Sequence, residues 1–274
     1  MQEVLPVYEL NLRGDPRIPF KHHRSTVFSG KGPQNWNENT EFLYCTAGEG
    51  YITYNDRWIP VRESQLVVVN SEMFHSVYTE DYMEYHSLIM DRHFCRDSGI
   101  PTNQMYFQEL IEDPEICGKF MEILKSLQEY HEGRKNFLAA SVRARTLDFL
   151  AALCRDYLEE ENRTPGHQSS QLVRTTMAYI RKHLPEPMTL DSIAENVGVN
   201  KFYLSREFKR VSGRTIFDVI VQLRCAAARE LIEQGSSVSQ AARDSGFENL
   251  SYFTRTFKKY YQEIPSRYRK LPEV

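Results

Sequence analysis

One supersecondary unit is written twice near the C-terminus. The first copy runs from Leu190 to Gly198 (LDSIAENVG) and continues from Val199 to Phe208. The second runs from Val238 to Gly246 (VSQAARDSG) and continues from Phe247 to Phe257. Ala194 aligns with Ala242, Gly198 with Gly246, Leu204 with Phe253, and Phe208-Lys209 with Phe257-Lys258. A small residue four before a glycine, followed by apolar anchors, fits two helices crossing through a tight turn. Two helix-turn-helix units in tandem point to a chain that reads DNA.

Local signals place the elements. Thr189 suits an N-cap, with Asp191 in the first turn where the helix dipole favours negative charge. Gly198 ends that helix, because glycine enters the left-handed region at little cost. Asn200 then caps a helix to about Val211, with Leu204 and Phe208 inward and Lys201, Phe202, Ser205, Arg206 and Lys209 outward. Arg206 can hold guanine through two hydrogen bonds, and Ser205 is a less selective reader. Lys209 and Arg210 suit phosphates. In the second copy Ser237 and Gln240 predict a capping box. Asn249 or the turn after it starts the next helix. Phe253 and Phe257 face inward, and Leu250, Ser251, Tyr252, Arg255 and Lys258 face the groove. Pro265 opens a final short helix carrying Arg267, Arg269 and Lys270. Between the units, Ile216 to Ile232 reads as one helix with Phe217, Ile220, Val221, Leu223, Ala227 and Leu231 on its apolar side. Its length of about 25 Å holds the two reading helices apart. Successive major grooves on one face of DNA lie about 34 Å apart, so one chain can enter two neighbouring grooves.

Charge agrees with this division. Up to residue 170 there are 17 Lys and Arg against 26 Asp and Glu, a balance of −9. From residue 171 there are 17 against 11, a balance of +6. Polyanion binding needs clustered cations, and the basic part is the part with the repeat. The five cysteines are scattered and make no CxxC pair, which predicts reduced core thiols in a cytoplasmic protein. Met1 to Leu10 shows no secretory pattern, and no apolar run approaches the roughly 20 residues of a membrane helix.

Upstream, short β-type runs alternate with turn signals from about Ser25 to Phe94. They are 41–46, 51–54, 58–61, 66–69, 75–79 and 84–90, with turns at Gly48-Glu-Gly50 and Asn55-Asp56. This reads as an antiparallel sandwich or barrel. Helical spacing follows over Pro114 to His131 and Asn136 to Glu161. The stretch from Asn162 to Ser170 (NRTPGHQSS) has the composition of a linker.

The last hundred residues resemble the AraC/XylS family of transcription regulators. The resemblance is carried by Gly246 to Lys258 (GFENLSYFTRTFK), by Pro265 to Arg269, by the first unit, and by Arg224 with Ala227-Ala228. A local departure is Gln262-Glu-Ile264, where the family often has Gly and Thr before the Pro. The resemblance implies Phe202, Ser205 and Arg206 on one recognition helix, and Asn249, Leu250, Ser251, Tyr252 and Arg255 on the other. Leu250 is unusual for a base reader and suits a thymine methyl instead.

The β zone resembles the cupin-like sensor domain that precedes this module in many members. The cupin metal motif places His, His and Glu at H-x-H-x3-E, then a Gly, then a distant His. Here the spacing survives as Asn35, Asn37, Glu41, Gly48 and His75. Asparagine is a poor transition-metal ligand, so neither a metal nor another cofactor is expected. A barrel without metal can still hold a small molecule. The candidate ligand residues are Asn37, Glu41 and His75, with His22 and His23 from the N-terminal arm.

The predicted architecture is multidomain α+β. It comprises a cupin-like antiparallel β-barrel (1–95), a helical region (96–162) whose 136–161 helix suits a homodimer interface, a linker (163–171), and an all-α tandem helix-turn-helix domain (172–274). The predicted function is an effector-controlled, sequence-specific transcription regulator that binds double-stranded DNA, with RNA polymerase as a further partner and no membrane association. Sugars are common effectors in the resembled family, and nothing in the chain selects one. The competing reading, a metal-dependent cupin enzyme, lacks the motif histidines, and no P-loop, G-x-S-x-G elbow or H-E-x-x-H helix is present. A regulator of DNA-alkylation repair would need a clustered cysteine site.

Overall fold

The computed structural model describes residues 7–8, 15, 17–54, 57–133, 135–159 and 167–269. The chain divides into two compact units, residues 1–167 and 168–274.

The strands of the first unit are β1 (Val7–Tyr8), β2 (Phe20–Lys31), β3 (Asn35–Trp36), β4 (Glu41–Thr53), β5 (Trp58–Arg62), β6 (Leu66–Val69), β7 (Ser76–Met90) and β8 (Leu110–Ile111). Its helices are α1 (Arg92–Asp97), α2 (Pro114–Glu132) and α3 (Lys135–Asp156). The main sheet has the order β2-β7-β4-β6-β8, with β5 also on β4 and every pairing antiparallel, while β1 and β3 pair in parallel. Among the described residues the ladder does not close on itself, so the expected barrel is an open, strongly bulged sheet.

Alternation along β4 sorts the two cores. Phe42 and Tyr44, with Leu88 and Met90 of β7, face α2 and α3. There Phe42 meets Phe149 at 5.1 Å between ring centroids, and Tyr44 meets Phe120 at 5.5 Å. Leu43 and Cys45 face the opposite way, with Val67, Met83 and Tyr85.

Several expectations need correction. The turn at Gly48-Glu-Gly50 is absent: β4 is one strand of 13 residues. The runs 75–79 and 84–90 likewise join into the single 15-residue β7. Gly48 has φ +74, and a Cβ on it would lie 2.2 Å from the Tyr82 carbonyl oxygen; on Gly50 it would lie 2.4 Å from that of Tyr78. Both glycines therefore serve a close approach of β7 rather than a chain reversal. The strand β2 was not foreseen, because FKHHRSTVFSGK is too polar to show clear alternation. Helix α3 stops at Asp156 rather than continuing to Glu161, and Leu158 instead bridges to Phe107. The turn at Asn55-Asp56 lies outside the described residues.

The second unit holds α4 (His167–Lys182), α5 (Leu190–Asn196), α6 (Lys201–Ser212), α7 (Ile216–Glu233), α8 (Val238–Asp244), α9 (Leu250–Tyr261) and a 3-10 turn at Pro265–Tyr268. Helix α4 starts inside the expected linker 163–171, because the serines and glutamines there lead directly into its apolar stripe at Val173, Met177 and Ile180. Thr189 and Ser192 form a reciprocal capping box on α5. At α8 only half of the expected box forms. Ser237 Oγ accepts from the Gln240 N–H, but the Gln240 amide turns to Asp244 at 2.6 Å. Gly198 and Gly246 end their helices with φ +74 and +92. Phe253 and Phe257 are fully buried among Cys225, Ala228, Ile232 and Phe247. Phe217, expected inside, is 47% exposed near the start of α7. The buried stripe at this end of α7 is Ile216, Val219 and Ile220, and Phe217 falls beside it on the open side.

Candidate DNA-binding face and effector site

Each recognition helix presents one buried and one open side. On α6, Leu204 and Phe208 are fully buried while Phe202 is 74% exposed, and Ser205, Arg206 and Lys209 are exposed beside it. On α9, Leu250, Ser251, Tyr252, Arg255 and Lys258 are exposed over buried Phe253 and Phe257.

The candidate side chains differ in their commitments. Asn200 caps α6 by accepting from the Phe202 N–H at 2.8 Å, and Asn249 caps α9 by accepting from the Tyr252 N–H at 2.8 Å. Only their amide NH2 groups stay free for a base. Lys201 pairs with Asp191 of α5 at 2.7 Å, and Arg210 pairs with Glu207 at 2.7 Å. Among the described residues Arg206 and Arg255 form no ion pair; Arg206 rests 5.9 Å from the centre of the Tyr203 ring. Lys209 and Lys258 are also without carboxylate partners among the described residues. An unpaired arginine on the open side of a recognition helix keeps its whole donor fork for guanine O6 and N7. Beside the start of α9 a cavity of about 760 Å³ is lined in part by Arg224, Arg243, Asn249, Tyr252 and Arg255. Sequence reasoning passed over Arg243, although an exposed arginine in the last turn of α8 was a usable signal.

In the first unit three of the five ligand candidates meet. Glu41 is 1% and His75 2% exposed, with His75 Nε2 at 3.4 Å from Glu41 Oε2. Asn37 Nδ2 donates to Glu41 Oε2 at 3.4 Å, and Ser87 Oγ donates to Oε1 at 2.5 Å. Burial raises the Glu41 carboxyl above its ordinary value, and the bonds from Ser87 and Asn37 oppose that rise. His23 lies directly across the sheet from Ser87 and is close enough for His75 to lower its pKa further, after desolvation. Tyr54, near enough to Glu41 to feel its charge, carries a buried hydroxyl with no hydrogen-bond partner among the described residues. His22 does not join them. As the neighbour of His23 on a strand it points to the other face. There it shares a hydrogen bond of 2.8 Å with His86 and stacks on it at 5.0 Å. Desolvation, then His86, pushes His22 down to about 4. Among the described residues no group of three or more His, Cys, Asp or Glu is placed to hold a metal ion, and Asn35 and Asn37 supply no imidazole.

Residues 193–271 match the model of a helix-turn-helix domain, and residues 29–148 that of the AraC-like ligand binding domain. Regulatory protein SoxS of Escherichia coli is 32% identical over 105 residues, 38% of this chain and 96% of SoxS. The chain belongs to the AraC family of transcription regulators. Another relative is the HTH-type transcriptional regulator YfiF of Bacillus subtilis. It is 23% identical over 243 residues, 84% of this chain and 76% of YfiF. Crystalline ToxT of Vibrio cholerae aligns over 91% of this chain and 96% of its own at 14% identity, with a TM-score of 0.47, a likeness too distant to carry an argument. As an AraC-family member the chain is a DNA-binding transcription regulator whose C-terminal helices bind DNA and whose N-terminal unit takes a small-molecule effector. No helix among the described residues is long and apolar enough to cross a membrane.

Proposed function

We propose that this regulator works in the cytoplasm as a homodimer and carries no enzymatic activity. Helices α6 and α9 read two neighbouring major grooves. Arg206 and Arg255 are the principal base readers. Phe202, Ser205, Leu250, Ser251 and Tyr252 complete the base-facing surface. Lys209, Lys258 and Arg243 take phosphates. Asn200 and Asn249 act mainly as caps, and Lys201 is held to Asp191. The observation that carries this reading is the pair of unpaired, exposed arginines, one on each capped recognition helix, joined through one continuous α7 of 18 residues.

The effector contacts Asn37, Glu41, His75 and His23, with Tyr54 as a further donor. His22 is withdrawn from that set. A second copy covers α3, where Phe137 is 82% exposed, and the open side of α2, where Met121 is 41% exposed. RNA polymerase is the partner through which bound regulator changes transcription. The effector acts by binding one arrangement of the regulator better than the other, since equal affinity would shift nothing.

The test is selection of binding sites from a random duplex pool with the full chain. Retardation assays on the selected site follow, with wild type, Arg206→Ala and Arg255→Ala. Selection of a two-part site one helical turn apart, weakened by both substitutions, supports the reading. Unchanged affinity in both variants refutes these assignments.

A further inference from the structure

A buried arginine sits where the two helix-turn-helix units meet. Arg214 is 7% exposed. It follows the end of α6, where Gly213 reverses the chain at φ +72, and precedes the first turn of α7. Its backbone is pinned to the last residue of α6. Ser212 Oγ accepts from the Arg214 N–H and donates to the Arg214 carbonyl, each at 3.1 Å. The guanidinium turns inward. Its Nη1 donates to Gln222 Oε1 of α7, and its Nη2 donates to Tyr260 Oη, near the end of α9, at 3.4 Å. The Tyr260 hydroxyl donates in turn to the Asp218 carbonyl at 3.3 Å, one turn before Gln222 on α7. A single side chain therefore bonds the exit of the first recognition helix to the connecting helix and to the second recognition helix.

Stability does not account for a guanidinium here. Among the described residues no carboxylate pairs with it. Taking such a charge out of water without a counter-charge costs free energy that an apolar side chain of like volume would not. What the group supplies is direction. Its planar fork fixes the angle between the partners it bonds, which a flexible or apolar side chain does not. Angle matters because α9 is a lever. Ser251 lies about 14 Å along the axis from Tyr260 at about 1.5 Å per residue. A tilt of about 10° at Tyr260 would carry Ser251 by about 2 Å, enough to break hydrogen bonds whose range is about 2.7–3.2 Å.

With α6 and α9 reading neighbouring grooves as described under the proposed function, we infer that Arg214 is a positioning residue for that reading. Through Tyr260 it fixes the angle between the two helices, and so decides which interval between half-sites the chain accepts. Being buried, it touches no base itself.

Retardation assays with the full chain on the selected two-part site test this. The interval between the halves is kept, shortened or lengthened by one base pair, and each half is also tried alone. One base pair turns a half-site by about 35° and shifts it about 3.4 Å. Wild type should lose about tenfold in affinity on either change. Arg214→Met keeps the buried stem without the donors, and Tyr260→Phe removes only the hydroxyl. Both should bind the single halves as wild type does, bind the parent site about threefold more weakly, and discriminate among intervals by less than about threefold. Arg214→Lys, which can still donate to one partner, should fall between them and wild type. Should Arg214→Met fail to fold by its melting curve, Tyr260→Phe carries the test alone. An interval profile unchanged from wild type, or equal losses on every duplex including the single halves, overturns the role of Arg214 and leaves the two-groove reading standing. A wild type indifferent to the interval overturns both.

Discussion

Arg224 occupies the space that a side chain at Gly246 would need. A Cβ on Gly246 would lie 2.8 Å from Arg224 Nε and 3.0 Å from the Leu184 carbonyl oxygen, on a backbone with φ +92. Arg224 is itself fixed. Its Nε donates to the Leu184 carbonyl at 2.9 Å and its Nη2 to that of Glu186 at 2.6 Å, so it ties α7 to the turn before α5 while packing against the turn before α9. Gly246→Ala is expected to destabilise the C-terminal unit by about 1–3 kcal/mol, from left-handed backbone strain and the collision together. Because part of that cost vanishes when the guanidinium is removed, Arg224→Ala with Gly246→Ala should cost less than the sum of the two. Denaturant unfolding of all four proteins checks it; strict additivity would show that the two residues do not share space.

Arg206→Ala and Arg255→Ala should each lose about 1–3 kcal/mol of specific binding and relax preference at separate positions of the site. Lys209→Ala and Lys258→Ala should weaken all sequences alike. Each should flatten the slope of log affinity against log salt by about 0.9. Retardation assays across a salt series distinguish the two classes. An arginine variant that weakens specific and random duplexes equally would be a phosphate contact instead.

The caps and the base contacts can be pulled apart at Asn249. Asn249→Ala should cost about 1 kcal/mol of stability by leaving the first turn of α9 uncapped. Asn249→Ser keeps an oxygen for the Tyr252 N–H and should recover most of that loss. If DNA affinity recovers together with the melting temperature, capping is the whole role. Affinity that stays low in the serine variant would give the Asn249 amide a base of its own.

The His22–His86 pair sets a pH window. Both imidazoles are shifted down, with desolvation the first cause, His22 from 6.5 to about 4. The unfolded chain therefore binds more protons in this interval, and stability falls as pH drops from about 6.5 toward about 4. Glu41, shifted the other way, works in the opposite sense but is common to wild type and variant. The melting-temperature difference between wild type and His22→Gln should thus grow from pH 4 to 6.5 and level off above. Parallel curves across that range would show that His22 is not held neutral by the fold.

The second unit was legible because its signals are local. Thr189, Asn200, Ser237 and Asn249 each cap the helix that follows, and Gly198 and Gly246 stop helices where only a left-handed residue fits. The apolar anchors repeat at fixed spacing, so short-range rules and tertiary packing agree. The sheet was less legible because its decisive contacts are between strands. Gly48 and Gly50 resemble a turn until β7 is seen against them, and the polar stretch that forms β2 gives no hint of its partner. The site divides in the same way. The motif spacing around Asn37 and Glu41, with His75, predicted a meeting that occurs, whereas Ser87 arrives on β7, whose register no spacing rule supplies, and Tyr54 from just past the end of β4. His22 and His23 were grouped by adjacency, and the pleat separates them.

Helix α7 packs against α6, α8 and α9. Each residue inserted into its middle would turn one reading head by about 100° and advance it about 1.5 Å relative to its twin. On the proposed reading, the interval between the two halves of the operator is therefore written into an uninterrupted rod. Regulators of this build can change which letters they read by point substitution, but hardly the distance between the words.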